Sequence, residues 1–117
     1  MEKQDLRIGI TLYDSVRDKN IEIESKHFKE LSIAENNFFE RYKPIEINTE
    51  YLIASGFVQK WEGENTTEFK LNEHKFELVH IKSQEAYVLF FGNHKAGKIK
   101  YVHELQNVML SVFQHLN

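Results

Sequence analysis

Hydrophobic positions alternate at the start of the chain. Leu6, Ile8, Ile10 and Leu12 are separated by Arg7, Gly9 and Thr11, a period of two that predicts a half-buried strand. The polar run Asp14 to Asn20, interrupted only by Val16, predicts a turn. Ile21 and Ile23 then alternate with Glu22 and Glu24 as a partner strand, so the opening is a β-hairpin module. Residues 26–42 fit two templates. Phe28, Leu31, Phe38 and Tyr42 have helical spacing, and Ser32 followed by Glu35 has the form of a capping box. Asn36-Asn37 interrupts that pattern, and Phe38-Phe39 offers aromatics to both faces of a strand. The expectation is two short strands with a turn at Glu35–Asn37. Pro44 forces Lys43 to be extended. Ile45 and Ile47 continue that segment, Asn48 or Thr49 caps a short helix through Ser55, and Gly56 stops it.

From Phe57 the pattern is an antiparallel β-meander with strands at Phe57–Trp61, around Thr67–Leu71, Phe76–Ile81 and Ala86–Phe91. The last of these, AYVLFF, is apolar on both faces and is expected inside the sheet rather than at its edge. Gly92–Gly97 leads into a closing helix from about Lys98 to Asn117. At roughly 100° per residue, Tyr101, Val102, Leu105, Val108, Met109, Val112, Phe113 and Leu116 share one arc, which would dock on the sheet. After Glu104 this helix has no Asp, Glu, Lys or Arg. Charged side chains normally hold a solvent face. A charge-free outer face of His103, Gln106, Asn107, Leu110 and Gln114 therefore reads either as a neutral surface or as one covered by another chain or element.

The 117 residues suffice for one domain, 1–117, and not for two large cores. Hydrophobic residues at 41% and nine Phe make the chain a folding one. The absence of cysteine excludes disulfides, thiolate catalysis and cysteine-based zinc sites. The N-terminus lacks the apolar core of a signal peptide, and no apolar run approaches a membrane span, so a cytoplasmic location is expected. A net charge of −3 argues against generic binding to duplex nucleic acid.

Gly92 to Lys98 has the GxxxxGK spacing of a phosphate-binding loop. Ile99 stands where a Ser or Thr hydroxyl would ligate magnesium, and too little chain follows for the next parallel strand, so nucleotide hydrolysis is not expected. What survives is a cationic loop before a helix, with His94, Lys95, Lys98 and Lys100 as candidates to hold a nucleotide or another small anion, set against a merely solvated basic loop. His74, His80 and His94 with Glu77 lack the close spacing of a zinc site, and no metal or cofactor is expected. His103 and Glu104 are helix neighbours and do not face each other, so they form no catalytic dyad. Ser55, Ser83 and Ser111 have no base and orienter in context. Trp61, Phe69, Phe76 and Tyr87 could stack single-stranded bases, but aromatics at strand spacing more commonly fill a core.

Three stretches carry a resemblance that spans most of the chain: LRIGITLYD, RYKPIEINTEYLIASGF and IKYVHELQN. Together they resemble a family of small proteins encoded in Bacteroidetes genomes and in their phages and mobile elements, with an LRIGN–V opening, a PIPLTEEWLLKFGF centre and a KYVHQLQNLY close. The chain departs from the family at Ile10, where Asn is usual, and at Val108-Met109, where an aliphatic–aromatic pair is usual. Residues 60–97 carry none of it. No activity is established for the family, so the resemblance implies context, an accessory protein of phage or mobile-element type (acting in the host cytoplasm if phage-encoded), and marks Tyr101–Asn107 as a signature.

The resulting expectation is one α+β domain: hairpin module, short central helix, antiparallel meander and a C-terminal helix packed on the sheet. Its function is expected to be non-enzymatic binding, to a protein partner or to itself as a homodimer. The alternative is capture of an anionic small molecule at Gly92–Lys100.

Overall fold

A computed structural model describes residues 1–71, 75–92 and 94–116, with the backbone alone for 112–116. The fold is α+β, and the chain divides into two compact units, Met1–Glu46 with Tyr101–Asn117, and Ile47–Lys100. No helix among the described residues is long and apolar enough to cross a membrane.

The first unit contains a three-stranded antiparallel sheet. Strand β1 (Thr11–Asp14) lies between β2 (Lys19–Glu22) and the short β3 (Tyr42–Lys43). The hairpin is the expected one, with Leu12 opposite Ile21 and Asp14 opposite Lys19. The strand expected from Leu6 is shorter than its alternation suggests. Gly9 adopts φ +99°, the chain turns there, and Ile8 is 61% exposed while Leu6, Ile10 and Leu12 enter the core. Backbone pairing nevertheless reaches back to Gly9, whose N–H donates to the Ile23 carbonyl at 2.9 Å.

Residues 25–41 correct the two-strand expectation. They form helices α1 (Ser25–Ile33) and α2 (Glu35–Arg41), separated at Ala34 with φ −149°. The Asn36-Asn37 pair does not break a helix, because it lies in the first turn of a new one, where short polar side chains are tolerated. Leu31 and Phe38 join Leu6, Ile10, Leu12, Ile23 and Tyr42 in one buried cluster. Phe38 packs on Phe39 edge-on at 5.4 Å and against Tyr42 at 4.6 Å between ring centroids.

Pro44 ends β3 by removing a ladder donor. The C-terminal helix α4 (Val102–Leu116) then enters this unit. Tyr101 forms an antiparallel bridge with Glu46, and the Val102 N–H donates to the Ile45 carbonyl at 2.8 Å. Helix α4 packs on β1 and on the 3-10 turn at Lys3–Asp5, with Val102 and Leu105 buried. The side chains of Val112, Phe113 and Leu116 lie outside the described residues.

In the second unit, Asn48 caps α3 (Thr49–Ala54), its Oδ1 accepting the Tyr51 N–H at 2.7 Å, and Gly56 ends it at φ +101°, as expected. A five-stranded antiparallel sheet follows in sequence order: β4 (Val58–Glu62), β5 (Thr66–Leu71), β6 (Phe76–Ile81), β7 (Ala86–Phe91) and β8 (His94–Ile99). Phe69, Leu78 and Leu89 stand in register across three strands, all buried, and make the centre of its core. Strand β7 is interior as expected. The element not foreseen is β8, which replaces the supposed loop between Gly92 and the helix. His94 to Ile99 pair with β7, with a register shift at Leu89/Phe90.

Candidate functional site

Over the first turns of α4 the chain's own N-terminal segment meets the charge-free face. Thr11 lies past the last β1–β3 pair, Tyr13 opposite Lys43. Its N–H donates instead to Gln106 Oε1 at 2.7 Å, and Gln106 Nε2 donates to Thr11 Oγ1 at 3.1 Å. Asn107 Nδ2 donates to the Asp5 carbonyl at 2.8 Å. An amide both accepts and donates; a carboxylate or an ammonium does only one. At Gln106 that requirement favours an amide over a charged side chain. His103 is 2% exposed, lies face to face with Tyr101 at 5.9 Å, and its Nδ1 has no hydrogen-bond partner among the described residues. Burial pushes its imidazole below the ordinary value, so the neutral form is favoured. Leu110 is half-buried, and the Gln114 side chain lies outside the described residues. Gln106 and Asn107 thus meet other elements of the same chain, one of the two kinds of cover that the charge-free face suggested.

The candidates expected in a cationic loop lie largely on a strand. His94, Lys95 and Lys98 belong to edge strand β8, and Lys98 Nζ donates to Gln84 Oε1. Lys100 follows the strand, its carbonyl accepting the Ile47 N–H at 3.0 Å. The N-terminus of α4 already holds a carboxylate: Glu104 Oε1 accepts the Tyr101 N–H at 2.9 Å. The glycine loop thus opens a strand, and the helix dipole is answered within the chain. Of the four aromatics considered as a stacking platform, Phe69, Phe76 and Tyr87 are core, and only Trp61 is exposed.

A cluster that the sequence reading missed lies in the first unit. Asp14 continues the inward face of β1 after Leu12 and is 1% exposed. Both its oxygens are taken by Arg41, Nε to Oδ1 at 2.9 Å and Nη2 to Oδ2 at 3.0 Å, and Oδ1 also accepts the Val16 N–H at 3.0 Å. The Arg41 hydrogen bonds hold the carboxyl down at about 2 despite its burial. Ser15 completes the clamp: its N–H and its Oγ both donate to the Arg41 carbonyl, at 2.9 and 2.7 Å. The Arg41 guanidinium lies 5.0 Å from the centroid of the Tyr42 ring. The Tyr42 hydroxyl donates to Glu30 Oε2 at 2.7 Å, and burial together with that carboxylate pushes it up to about 12. His27, 5% exposed, meets Tyr42 edge-on at 5.5 Å and accepts the Glu24 N–H on Nδ1 at 2.8 Å, which places the proton of the neutral ring on Nε2. Asp14, His27, Glu30, Arg41 and Tyr42 line an open cavity of about 400 Å³, together with Arg17. The signal was present in the sequence: an Asp two residues after Leu12, on the face that the alternation assigns to the core.

The second unit offers a different surface. Every residue of β4 is exposed, and β4 is an edge of its sheet. Val58 is 48% and Trp61 53% exposed, and Ile53 on the adjacent α3 is 51% exposed. The Trp61 ring lies over Gly63 so closely that a Cβ at Gly63 would fall within it. A register shift between Gln59 and Trp61 leaves Lys60 without a β5 counterpart.

No family model, no curated protein and no solved structure matches the chain.

The Asp14–Arg41 pair sets one stability prediction. Because the folded value of Asp14, about 2, lies below its ordinary 3.8, the stabilisation is complete above about pH 4 and is lost as pH falls towards 2. Asp14→Ala strands the half-buried Arg41 charge and is expected to cost about 2–3 kcal/mol near pH 7. Urea unfolding across pH checks both: the loss due to the substitution should shrink as pH drops from 4 to 2. A loss of less than about 0.5 kcal/mol, the size of an ordinary surface change, contradicts the clamp.

Proposed function

We propose that this is a non-enzymatic binding protein that acts by occupying the surface of another protein chain, with the β4 edge as its contact. The observation that carries this reading is an edge strand, Val58–Glu62, exposed along its whole length and bearing a half-exposed Trp. An edge strand presents unpaired backbone donors and acceptors, which an added strand satisfies. Trp is enriched among the residues that dominate interface energies. The ionisable cluster of the first unit supports the non-catalytic part of the reading. Asp14 is held as a carboxylate by Arg41, Tyr42 is held protonated against Glu30, and Nδ1 of His27 is committed to a backbone N–H. Neither Asp14 nor Tyr42 is poised to exchange a proton near neutral pH. The resemblance to proteins of Bacteroidetes phages and mobile elements is the ground for placing such a binder among accessory proteins.

Trp61 is the sole tryptophan, so its emission reports on β4 directly. Extended peptides selected from a random library should shift that emission on binding, and Val58→Lys or Trp61→Lys should abolish their binding. A library that yields no binder, or binders indifferent to both substitutions, contradicts the reading.

A second reading keeps the small-anion class and moves it to the cavity beside His27. The volume, about 400 Å³, is that of a small-molecule site. His27 Nε2–H and the Arg17 fork supply donors suited to a carboxylate or phosphate. A thermal-shift screen of nucleotides and small carboxylates should then give a rise that Arg17→Ala removes. No rise with any of them excludes this reading.

A further inference from the structure

Two buried polar atoms of α4 have no hydrogen-bond partner among the described residues: His103 Nδ1 and Asn107 Oδ1. The two side chains stand four positions apart, so they are neighbours on one helix face. The 3-10 turn Lys3–Asp5 packs on the same helix, and the Asn107 amide holds it there through the Asp5 carbonyl at 2.8 Å. No residue of that turn is buried. Buried polar atoms without partners are costly and therefore few. Two of them side by side, one on a titratable ring, mark a contact that the ring makes only in its other protonation state.

We infer that His103 is a pH-operated latch: on taking up a proton it releases the 3-10 turn Lys3–Asp5 from α4. The neutral ring suits its place, face to face with Tyr101 and 2% exposed. The imidazolium does not. Both of its nitrogens are donors, Nδ1 has nothing to donate to, and a buried charge without a hydrogen bond is costly. The unused acceptor on the same helix face is Asn107 Oδ1. A carboxamide is planar and carries its oxygen and nitrogen on one carbon. Swinging Oδ1 towards the ring therefore takes Nδ2 off the Asp5 carbonyl, and the turn loses its hydrogen bond to α4. The turn is the part that yields. Strand β1, which also packs on α4, is held by its ladders to β2 and β3. Three residues of 3-10 structure do not persist in water once unpacked. Burial is the largest influence on the ring and keeps it neutral, and the N-terminal ammonium acts in the same sense. Glu104 on α4 and Asp5 in the turn pull the other way. Glu104 accepts the Tyr101 N–H and Asp5 the Glu2 N–H. Lys3 is exposed, and Asp14, the charged residue of β1, is held by Arg41. Because the docked ring lies below its ordinary value of 6.5, the docked turn is fully favoured above about pH 6.5 and is lost progressively as pH falls below it.

The test is an NMR titration of the full chain from about pH 8 to about pH 5, the span in which imidazole changes charge. The His103 ring protons give its midpoint, expected below 6.5. The Asp5 and Leu6 amides, which donate to the Glu2 and Lys3 carbonyls, should shift with that midpoint, as should the side-chain amide of Asn107. The Ile23 amide in the hairpin should stay unchanged. Hydrogen-exchange protection at Leu6 should fall several-fold across the titration, after allowance for the intrinsic pH dependence of exchange. His103→Phe keeps a ring beside Tyr101 and removes the proton site, so its turn should stay docked at every pH. His103→Gln serves the same arm with a neutral polar side chain, and circular dichroism checks that both fold. Asn107→Ala should loosen the turn throughout and move the His103 midpoint towards 6.5. A turn that stays docked while His103 titrates overturns the latch. So does a ring that remains neutral down to about pH 5, or a loosening on acidification that persists in His103→Phe and His103→Gln.

Discussion

The structure depends on one constraint: backbone hydrogen-bonding groups at the ends and edges of sheets must find partners. In the first unit, β3 is two residues long, because Pro44 cannot continue the ladder. That leaves β1 with a donor at Thr11 beyond the reach of β3. Helix α4 supplies the missing acceptor through Gln106 and secures the preceding segment through Asn107. A side-chain amide can stand in for a peptide group because it carries the same donor and acceptor pair. The amide at Gln106 of α4 thus answers how β1 ends.

The opposite end of β1 is closed by charge. Asp14 terminates the strand on its buried face, and a buried carboxylate is tolerable only when paired and hydrogen-bonded. Arg41 arrives from the last turn of α2, and Ser15 grips the carbonyl of the same residue. The hairpin turn and the helical pair are therefore fastened at one residue by side chain and backbone together. This arrangement makes a concave, charged site in which Asp14 is held by Arg41 and Tyr42 by Glu30. In the second unit the same edge constraint is met differently. β5 to β7 satisfy each other, and the free sides of β4 and β8 are left with lysines and bulges.

Period-two signals with turn residues between them located most of the meander and the opening hairpin. The Asn48 cap and Gly56 stop placed α3 within a residue. Local pattern failed where tertiary context decides. Asn36-Asn37 looked like a break because a helix ending at Ala34 and restarting at once cannot be distinguished from a strand turn by spacing alone. Gly92 and Gly97 looked like a loop because β8 is an exposed edge strand with little apolar content to mark it. On α4 the absence of charge was legible, but it left a neutral surface and a covered one equally open. The identity of the cover was not legible, since the bonds of Gln106 to Thr11 span most of the chain length. Asp14 was hidden for the opposite reason: it sits in a polar run that reads as turn, and only its phase relative to Leu12 reveals that it points inward.

The central claim is that the amide face of α4 completes the first sheet. Residue-resolved amide hydrogen exchange in dilute solution tests it most directly. The Thr11 amide should exchange as slowly as that of Ile23, which donates to the Ile10 carbonyl at 2.8 Å within the hairpin. Gln106→Ala should then accelerate Thr11 selectively and leave Ile23 protected. Fast exchange at Thr11 in the unaltered protein, or slow exchange that survives the removal of Gln106, would contradict the account.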